Sequence, residues 1–215
     1  MKWGIACCLV SLVTFSFATF SPLPAYATPI DFEGLSDLEV VTTQFSGMGV
    51  TFTNATALTS GLSLNQFEFP PHSGTHVVFD NFGPITLTFS VPVQQVGGFF
   101  TYFAPLTLTA FDLGGSPVAV SLSIFTSNLA LSGDPGSSPN EFLQVAHMGG
   151  ISTLVISADP SGGSFTLDDL KVTPVPEPAS LFLLGSVLSG ILLQKWREKR
   201  KNRFTCAGDA TIKLN

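Results

Sequence analysis

Charge is the scarcest thing in this sequence of 215 residues: Asp, Glu, Lys and Arg together make up 11% of it, against roughly 25% in ordinary soluble domains. Basic residues are scarcer still in the middle. From Thr28 to Pro178, thirteen Asp or Glu stand against one cation, Lys171, for a net charge of −12. A body of that sign repels phosphate backbones, which argues against direct nucleic-acid binding. Cysteine is missing from the same stretch, since Cys7, Cys8 and Cys206 all lie outside it. No disulfide or thiolate metal site can form there. The body must fold by burial alone, and a chain of that length can do so. It shows no sustained helical period, no elbow-type serine motif, no phosphate-cradling glycine loop and no metalloprotease helix. No catalytic centre is visible.

The two ends hold much of the apolar excess. Lys2 precedes an uncharged, mostly apolar run from Gly4 to Phe20; Pro22 and Pro24 then break any helix before Ala25-Tyr26-Ala27. That order reads as a secretion signal over residues 1–27, cleaved by signal peptidase after Ala27, with Ala25 and Ala27 as the small residues of the site. The alternative is an uncleaved anchor. Near the other end, Pro174-Val175-Pro176-Glu177-Pro178 is too stiff to join a sheet or helix interior. Leu181 to Leu193 is an uninterrupted apolar helix candidate, and six of the nine Lys and Arg crowd into 195–203. Thirteen residues at ~1.5 Å each reach about 20 Å, short of a ~30 Å hydrocarbon core. A span of about 179–194 with Lys195 snorkelling narrows the gap, and Trp196 falls at headgroup level. The basic cluster would remain cytoplasmic and the acidic body would face outward.

The middle is made of short alternating runs separated by Gly, Pro, Asn and Asp. Ile85, Leu87 and Phe89 alternate with Thr86, Thr88 and Ser90; Leu106 and Leu108 alternate with Thr107 and Thr109. Val118, Val120, Leu122 and Ile124 alternate with Ala119, Ser121 and Ser123. Period two means strands with one buried face. Further strands are expected at 30–33, 49–54, 77–80, 93–103, 141–146, 151–157 and 164–173. The fold class is therefore all-β, an antiparallel jelly-roll-like β-sandwich over 28–173, flanked by the leader and the single C-terminal helix; a lone barrel is the alternative. Gly97-Gly98 marks a bulge or a strand crossing between sheets.

The candidate site joins the domain's two ends. Asp31 and Glu33 alternate with Ile30 and Phe32, so both carboxylates leave the first strand on its polar face. Phe165 and Leu167 set one register while Leu170 and Val172 set the opposite one, which requires an extra residue at Asp168-Asp169. With first and last strands adjacent, Asp31, Glu33, Asp168 and Asp169 would form a structural Ca2+ site, its shell of about six to eight oxygens completed by carbonyls or water. His72 and His76 have a helical four-residue spacing, but Pro70-Pro71 and Gly74 make them a loop with exposed imidazoles. His147 is expected to be structural or solvent-facing. Tyr102 and Phe103 are aromatics that could stack on sugars, with the core as the blander reading. The Thr-x-Thr pieces at 51–53, 86–88 and 107–109 resemble ice-binding stripes, yet on antiparallel strands they are simply a wet face.

Two resemblances add to this. Val175-Pro176-Glu177-Pro178-Ala179-Ser180, a short apolar helix and an Arg/Lys cluster together resemble a PEP-CTERM sorting signal over 174–203. The resemblance implies processing by exosortase near Pro176, Glu177 and Pro178. It also implies export: a precursor in the inner membrane, then the cell surface or extracellular matrix. A short extension, 204–215, continues past the point where such tails stop, and an uncut single-pass anchor is the alternative. Ile30-Asp31-Phe32-Glu33-Gly34 and Leu167-Asp168-Asp169-Leu170 resemble the ends of jelly-roll carbohydrate-binding modules, where an acid near each end ligates calcium. The function expected is a non-catalytic surface or matrix protein with polysaccharide as its candidate ligand. A sandwich-fold glycan-active enzyme and a purely structural domain are the alternatives.

Overall fold

The computed structural model describes residues 29–175 and 185–197. The leader with Ala25 and Ala27, the motif Pro176-Glu177-Pro178 and the extension 204–215 lie outside the described residues. Among the described residues nine strands follow one another: β1 (Val40–Val41), β2 (Val50–Thr53), β3 (Ala55–Thr59), β4 (His76–Asp80), β5 (Ile85–Tyr102), β6 (Thr107–Phe111), β7 (Pro117–Leu122), β8 (Glu141–Ser157) and β9 (Phe165–Pro174). Every pairing between them is antiparallel. A helix runs over 185–197. Among the described residues no helix is long and apolar enough to cross a membrane.

Two long strands make the sandwich. The first half of β5 pairs with β2 and with the second half of β8, which continues through β6 to β7. The second half of β5 pairs with the first half of β8 and with β9, which continues through β4 and β3 to β1. The first layer, sheet I, is thus β2-β5-β8-β6-β7; the second, sheet II, is β1-β3-β4-β9-β5-β8. Sequence reading expected two strands where each of these long ones stands. They stay continuous because each bends at a break in register, between Thr88 and Gln95 on β5 and beside Gly149-Gly150 on β8. Gly150 is left-handed (φ 91°), and a Cβ there would meet Pro92 Cβ at 2.8 Å. The crossing therefore lies at this Pro–Gly contact, and Gly97-Gly98 takes the other role expected of it, facing a bulge.

Alternate residues of both layers close on a shared core of Ile85, Leu87, Phe100, Leu108, Leu154, Ile156, Phe165 and Leu167, each at most 1% exposed. Each such side chain contributes about 1.5–3 kcal/mol by leaving water, offset by the entropy of ordering the chain. Three sequence expectations need correction. Residues 30–33 are not a strand: Ile30 forms one bridge to Leu170, and the chain then turns at Phe32, whose φ is 61°. Burial holds that strained backbone, because the Phe32 ring packs edge-on against Phe45 and Phe52 at 5.6 and 6.0 Å. Residues 55–59 form the full strand β3 although they were not expected to. Finally, β7 turns its apolar set outward: Val120 and Leu122 are 60% and 64% exposed.

Candidate ligand-binding face and its carboxylate clamp

The last strand carries the extra residue that its register switch required. Gly97 pairs with Lys171 but Phe99 pairs with Asp168, so two residues of β9, Asp169 and Leu170, face Gly98 alone on β5. Asp169 sits there in a left-handed conformation, φ 46°, as a bulge residue does. Glycine permits the close approach: a Cβ at Gly98 would stand 2.4 Å from Leu167 Cδ1 and 3.2 Å from the Asp168 carbonyl.

The bulge aims both carboxylates at the loop before β4. Asp168 Oδ2 accepts the backbone N–H groups of His72 and Ser73 at 2.8 and 2.9 Å, and its Oδ1 accepts the N–H of Asp169 at 2.7 Å. Asp169 Oδ2 meets His72 Nδ1 at 2.6 Å, and Oδ1 accepts the Ser73 hydroxyl at 3.1 Å. Glu33 grips the other end of the loop. Its Oε1 accepts the N–H groups of Thr75 and His76, both at 2.8 Å, and its Oε2 lies 3.1 Å from His76 Nδ1. Gly74 between them is left-handed, and a Cβ would fall 2.3 Å from the Glu33 carboxyl. A loop with two prolines has few ladder partners of its own, so carboxylates satisfy its N–H groups instead.

Burial pushes the Asp168 carboxyl up to about 6, and the neighbouring Asp169 charge acts in the same direction against the loop N–H groups. In Glu33, slight burial acts upward, but the N–H groups of His76 and Thr75 outweigh it and leave the carboxyl below its ordinary value.

These positions bear on the expected calcium site. The structure brings Asp168, Asp169 and Glu33 to one loop, while Asp31 is exposed and only accepts the Glu33 N–H at 3.2 Å. The oxygens of Asp168, Asp169 and Glu33 already face N–H and O–H donors. Among the described residues no group of three or more His, Cys, Asp or Glu is placed to hold a metal ion. This donor set does not fit calcium, which needs oxygens free to converge on one point. The histidines are not simply exposed turn residues either. His76 opens β4 against Glu33, and the half-exposed His72 is held on both its ring and its backbone.

The clamp positions an aromatic row on the outer side of sheet II. The His72 ring stacks on Phe99 with centroids 3.4 Å apart and planes 9° from parallel. Phe99 pairs across strands with Phe142, centroids 5.1 Å apart. The Lys171 ammonium lies 4.9 Å from the Phe99 ring and 5.3 Å from that of Phe142, within cation–π reach. Gln144, hydrogen-bonded to Gln95, stands beside this group opposite Gly97. His72 and Phe142 keep 37% and 41% of their surface open to solvent. Sequence reading missed the row; it named Tyr102 and Phe103 as able to stack on sugars but preferred to place them in the core. Tyr102 is indeed fully buried with its hydroxyl on Glu141, and burial with that contact pushes it up to about 12, while Phe103 is 45% exposed. The available signal was Phe99, which falls in the outward register of β5.

Comparison with known proteins adds the tail. Residues 174–198 match the PEP-CTERM protein-sorting motif. The motif implies export, sorting to the cell surface and exosortase processing. No curated protein is similar enough to the chain to count as a relative. Among solved structures, the K2 cleaved adhesin domain of Lys-gingipain is 14% identical with a TM-score of 0.41, over 67% of this chain and 98% of that one. TmCBM61 in complex with beta-1,4-galactotriose is 12% identical with a TM-score of 0.36, over 63% and 99%. A carbohydrate-binding module of the beta-sandwich superfamily is 11% identical with a TM-score of 0.26, over 65% and 63%.

Proposed function

We propose that this PEP-CTERM-sorted chain is a non-catalytic surface or matrix protein whose jelly-roll-like sandwich binds polysaccharide on the outer face of sheet II. The observation that carries the reading is the solvent-open row His72, Phe99 and Phe142 with Lys171 beside it. Ring faces take the C–H side of a pyranose, while Lys171 and Gln144 offer polar contacts to hydroxyls. A neutral glycan suits a body of net charge −12 better than a polyanion does. A glycoside hydrolase of the usual kind needs two carboxylates free to act on substrate; here Asp168, Asp169 and Glu33 are bound to the loop.

The test is affinity electrophoresis of the full chain through gels containing extracellular polysaccharide from its host. Phe142→Ala should weaken retention about tenfold, in line with losing one stacked ring. Unchanged retention in Phe142→Ala and Phe99→Ala would remove the face from consideration and leave a purely structural domain.

A further inference from the structure

Sheet II passes into the tail almost without a linker. Pro174, the last residue of β9, still pairs with Val93, and Thr173 before it pairs with Gln95. Only Val175, Pro176, Glu177 and Pro178 then separate the paired strand from the apolar span expected from about 179. The five steps from Pro174 to Ala179 cover at most about 18 Å. A headgroup layer takes up roughly 5–8 Å of that, so the end of β9 stands within about 13 Å of the headgroups, little more than one helix diameter. This end of β9 lies at the corner where β5 and β8 cross between the layers. A Cβ on Gly150 would come within 2.8 Å of Pro92 and 3.8 Å of Val175. The Ser90 N–H donates to the Gly49 carbonyl at 2.9 Å, which brings Met48 to the same corner. Val91, Met148 and Met48 are 69%, 81% and 50% exposed there.

We propose that this corner sits on the phospholipid surface that the tail enters, with Val91, Met148 and Met48 in the headgroup layer. The contact depends on the tail's entering a bilayer at about 179. The length of the tether decides the occupant. It brings the membrane to the corner and leaves too little depth beneath it for another folded domain. A short tether also makes the contact intramolecular, at an effective concentration on the order of millimolar, so a few apolar side chains suffice. Charge agrees with this orientation. Asp80, Glu141 and Asp168 lie at or near the ends of their strands that point away from Pro174, which keeps them from anionic headgroups. Asp112, in the turn after β6, lies closer, as do Lys171 and Glu177; the headgroup layer is polar and holds such charges in water. Phe99 is six residues along β5 from Val93, about 20 Å. The aromatic row therefore stays clear of the bilayer and open to a glycan.

Quenching by brominated lipid tests it, with the full chain in phosphatidylcholine vesicles and Cys7, Cys8 and Cys206 replaced by serine. A bimane label at Met148→Cys should lose emission when the acyl chains carry bromine close to the headgroups. A label at Phe82→Cys, 85% exposed before the far end of β5, should keep its emission. Ile191→Cys, within the expected span, reports whether the tail is inserted and should be quenched. Adding Val91→Glu and Met48→Glu should restore emission at Met148→Cys, with circular dichroism unchanged. Quenching at Ile191 without quenching at Met148 would leave the tail in the membrane and overturn the proposal. No quenching at Ile191 would overturn the inserted tail and the proposal together. Equal quenching at Phe82 and Met148 would lay the body flat on the bilayer and overturn the corner contact. Quenching at Met148 that ignores the two glutamates would reduce the contact to confinement by the tether and overturn it equally.

Discussion

β5 and β8 run through both layers of the sandwich, yet the two layers differ sharply in chemistry. The parts of β2, β5, β6, β7 and β8 that lie in sheet I contain no Asp, Glu, Lys or Arg, and its outer face is mostly threonine and aliphatic. Sheet II carries Asp80, Glu141, Asp168, Asp169 and Lys171 within its strands, and several are hidden from water. Asp80 is 0% exposed; its Oδ1 accepts the N–H groups of Ser164 and Phe165 at 2.7 and 2.9 Å, and its Oδ2 accepts the Ser164 hydroxyl at 2.6 Å. One layer is thus held chiefly by side-chain packing and its ladder, with hydroxyl bonds such as Thr51 Oγ1 to the Thr88 carbonyl. The other also depends on buried carboxylates that tie loops to strands. A ladder tolerates changes on its wet face, whereas a buried charge and its partners stand or fall together.

The largest effect should come from breaking that dependence. Asp80→Ala leaves two buried N–H groups and one hydroxyl without acceptors at the start of β9, and is expected to lower unfolding free energy by about 3–5 kcal/mol. Thr88→Val on the wet face of sheet I should change it by no more than about 0.5 kcal/mol. Urea unfolding of the two variants at matched slope measures the contrast. Equal losses would mean that the layers do not differ in this way.

What the sequence disclosed follows the same division. Strict alternation in 85–89 and 106–109 revealed sheet I strands, because nothing but burial and a wet face shapes them. The bulge at Asp168-Asp169 was legible as well, since apolar residues on either side of it sit in opposite registers. Strand β3 was not: Ala-Thr-Ala-Leu-Thr has small side chains, and Asn54 before it looks like a turn. The alternation in β7 was read correctly as a strand and wrongly as a buried face, because period two does not say which side meets the core. Asn128 was invisible, lying in a segment without strand pattern. Its Oδ1 accepts the Tyr102 N–H at 2.7 Å and its Nδ2 donates to the Phe100 carbonyl at 2.9 Å, so one amide stands in for a missing strand beside β5. The aromatic row was hidden for a similar reason: His72, Phe99, Phe142 and Lys171 come from four segments and meet only once the clamp is set.

Acid should sharpen the comparison with a smaller effect. The Asp168 carboxyl stands at about 6 in the fold against an ordinary 3.8. Between those values the unfolded chain is ionised while the folded chain keeps its proton. Stability from this group therefore rises as pH falls through about 6 and levels off near 3.8. Glu33, Asp37, Glu39 and Glu68 have the opposite sign, since hydrogen bonds hold each below its ordinary value. Their contribution is lost only in more acid solution. Melting temperature should climb between about pH 7 and pH 5, by the equivalent of about 1–1.5 kcal/mol. Asp80 acts in the same direction, because burial raises its carboxyl too, so Asp168→Asn, which cannot titrate, should reduce that climb. A wild-type curve that falls over this range would mean that Asp168 is ionised without penalty.

The smallest expected shift concerns calcium. A site at Asp31, Glu33, Asp168 and Asp169 would have to take carboxylate oxygens away from the N–H groups of His72, Ser73, Thr75 and His76. That exchange releases the loop on which His72 is carried, so binding energy would be set against the loss of at least four charge-assisted hydrogen bonds. Calcium and chelator should therefore leave the melting temperature within about 1 °C of each other, where a ligand present at a hundred times its dissociation constant would add about 2.7 kcal/mol. Differential scanning calorimetry of the full chain at neutral pH decides between the two. A rise of several degrees with calcium, absent in Glu33→Gln, would show that the four acids leave the loop for the ion and that sheet II is closed by metal rather than by its own backbone.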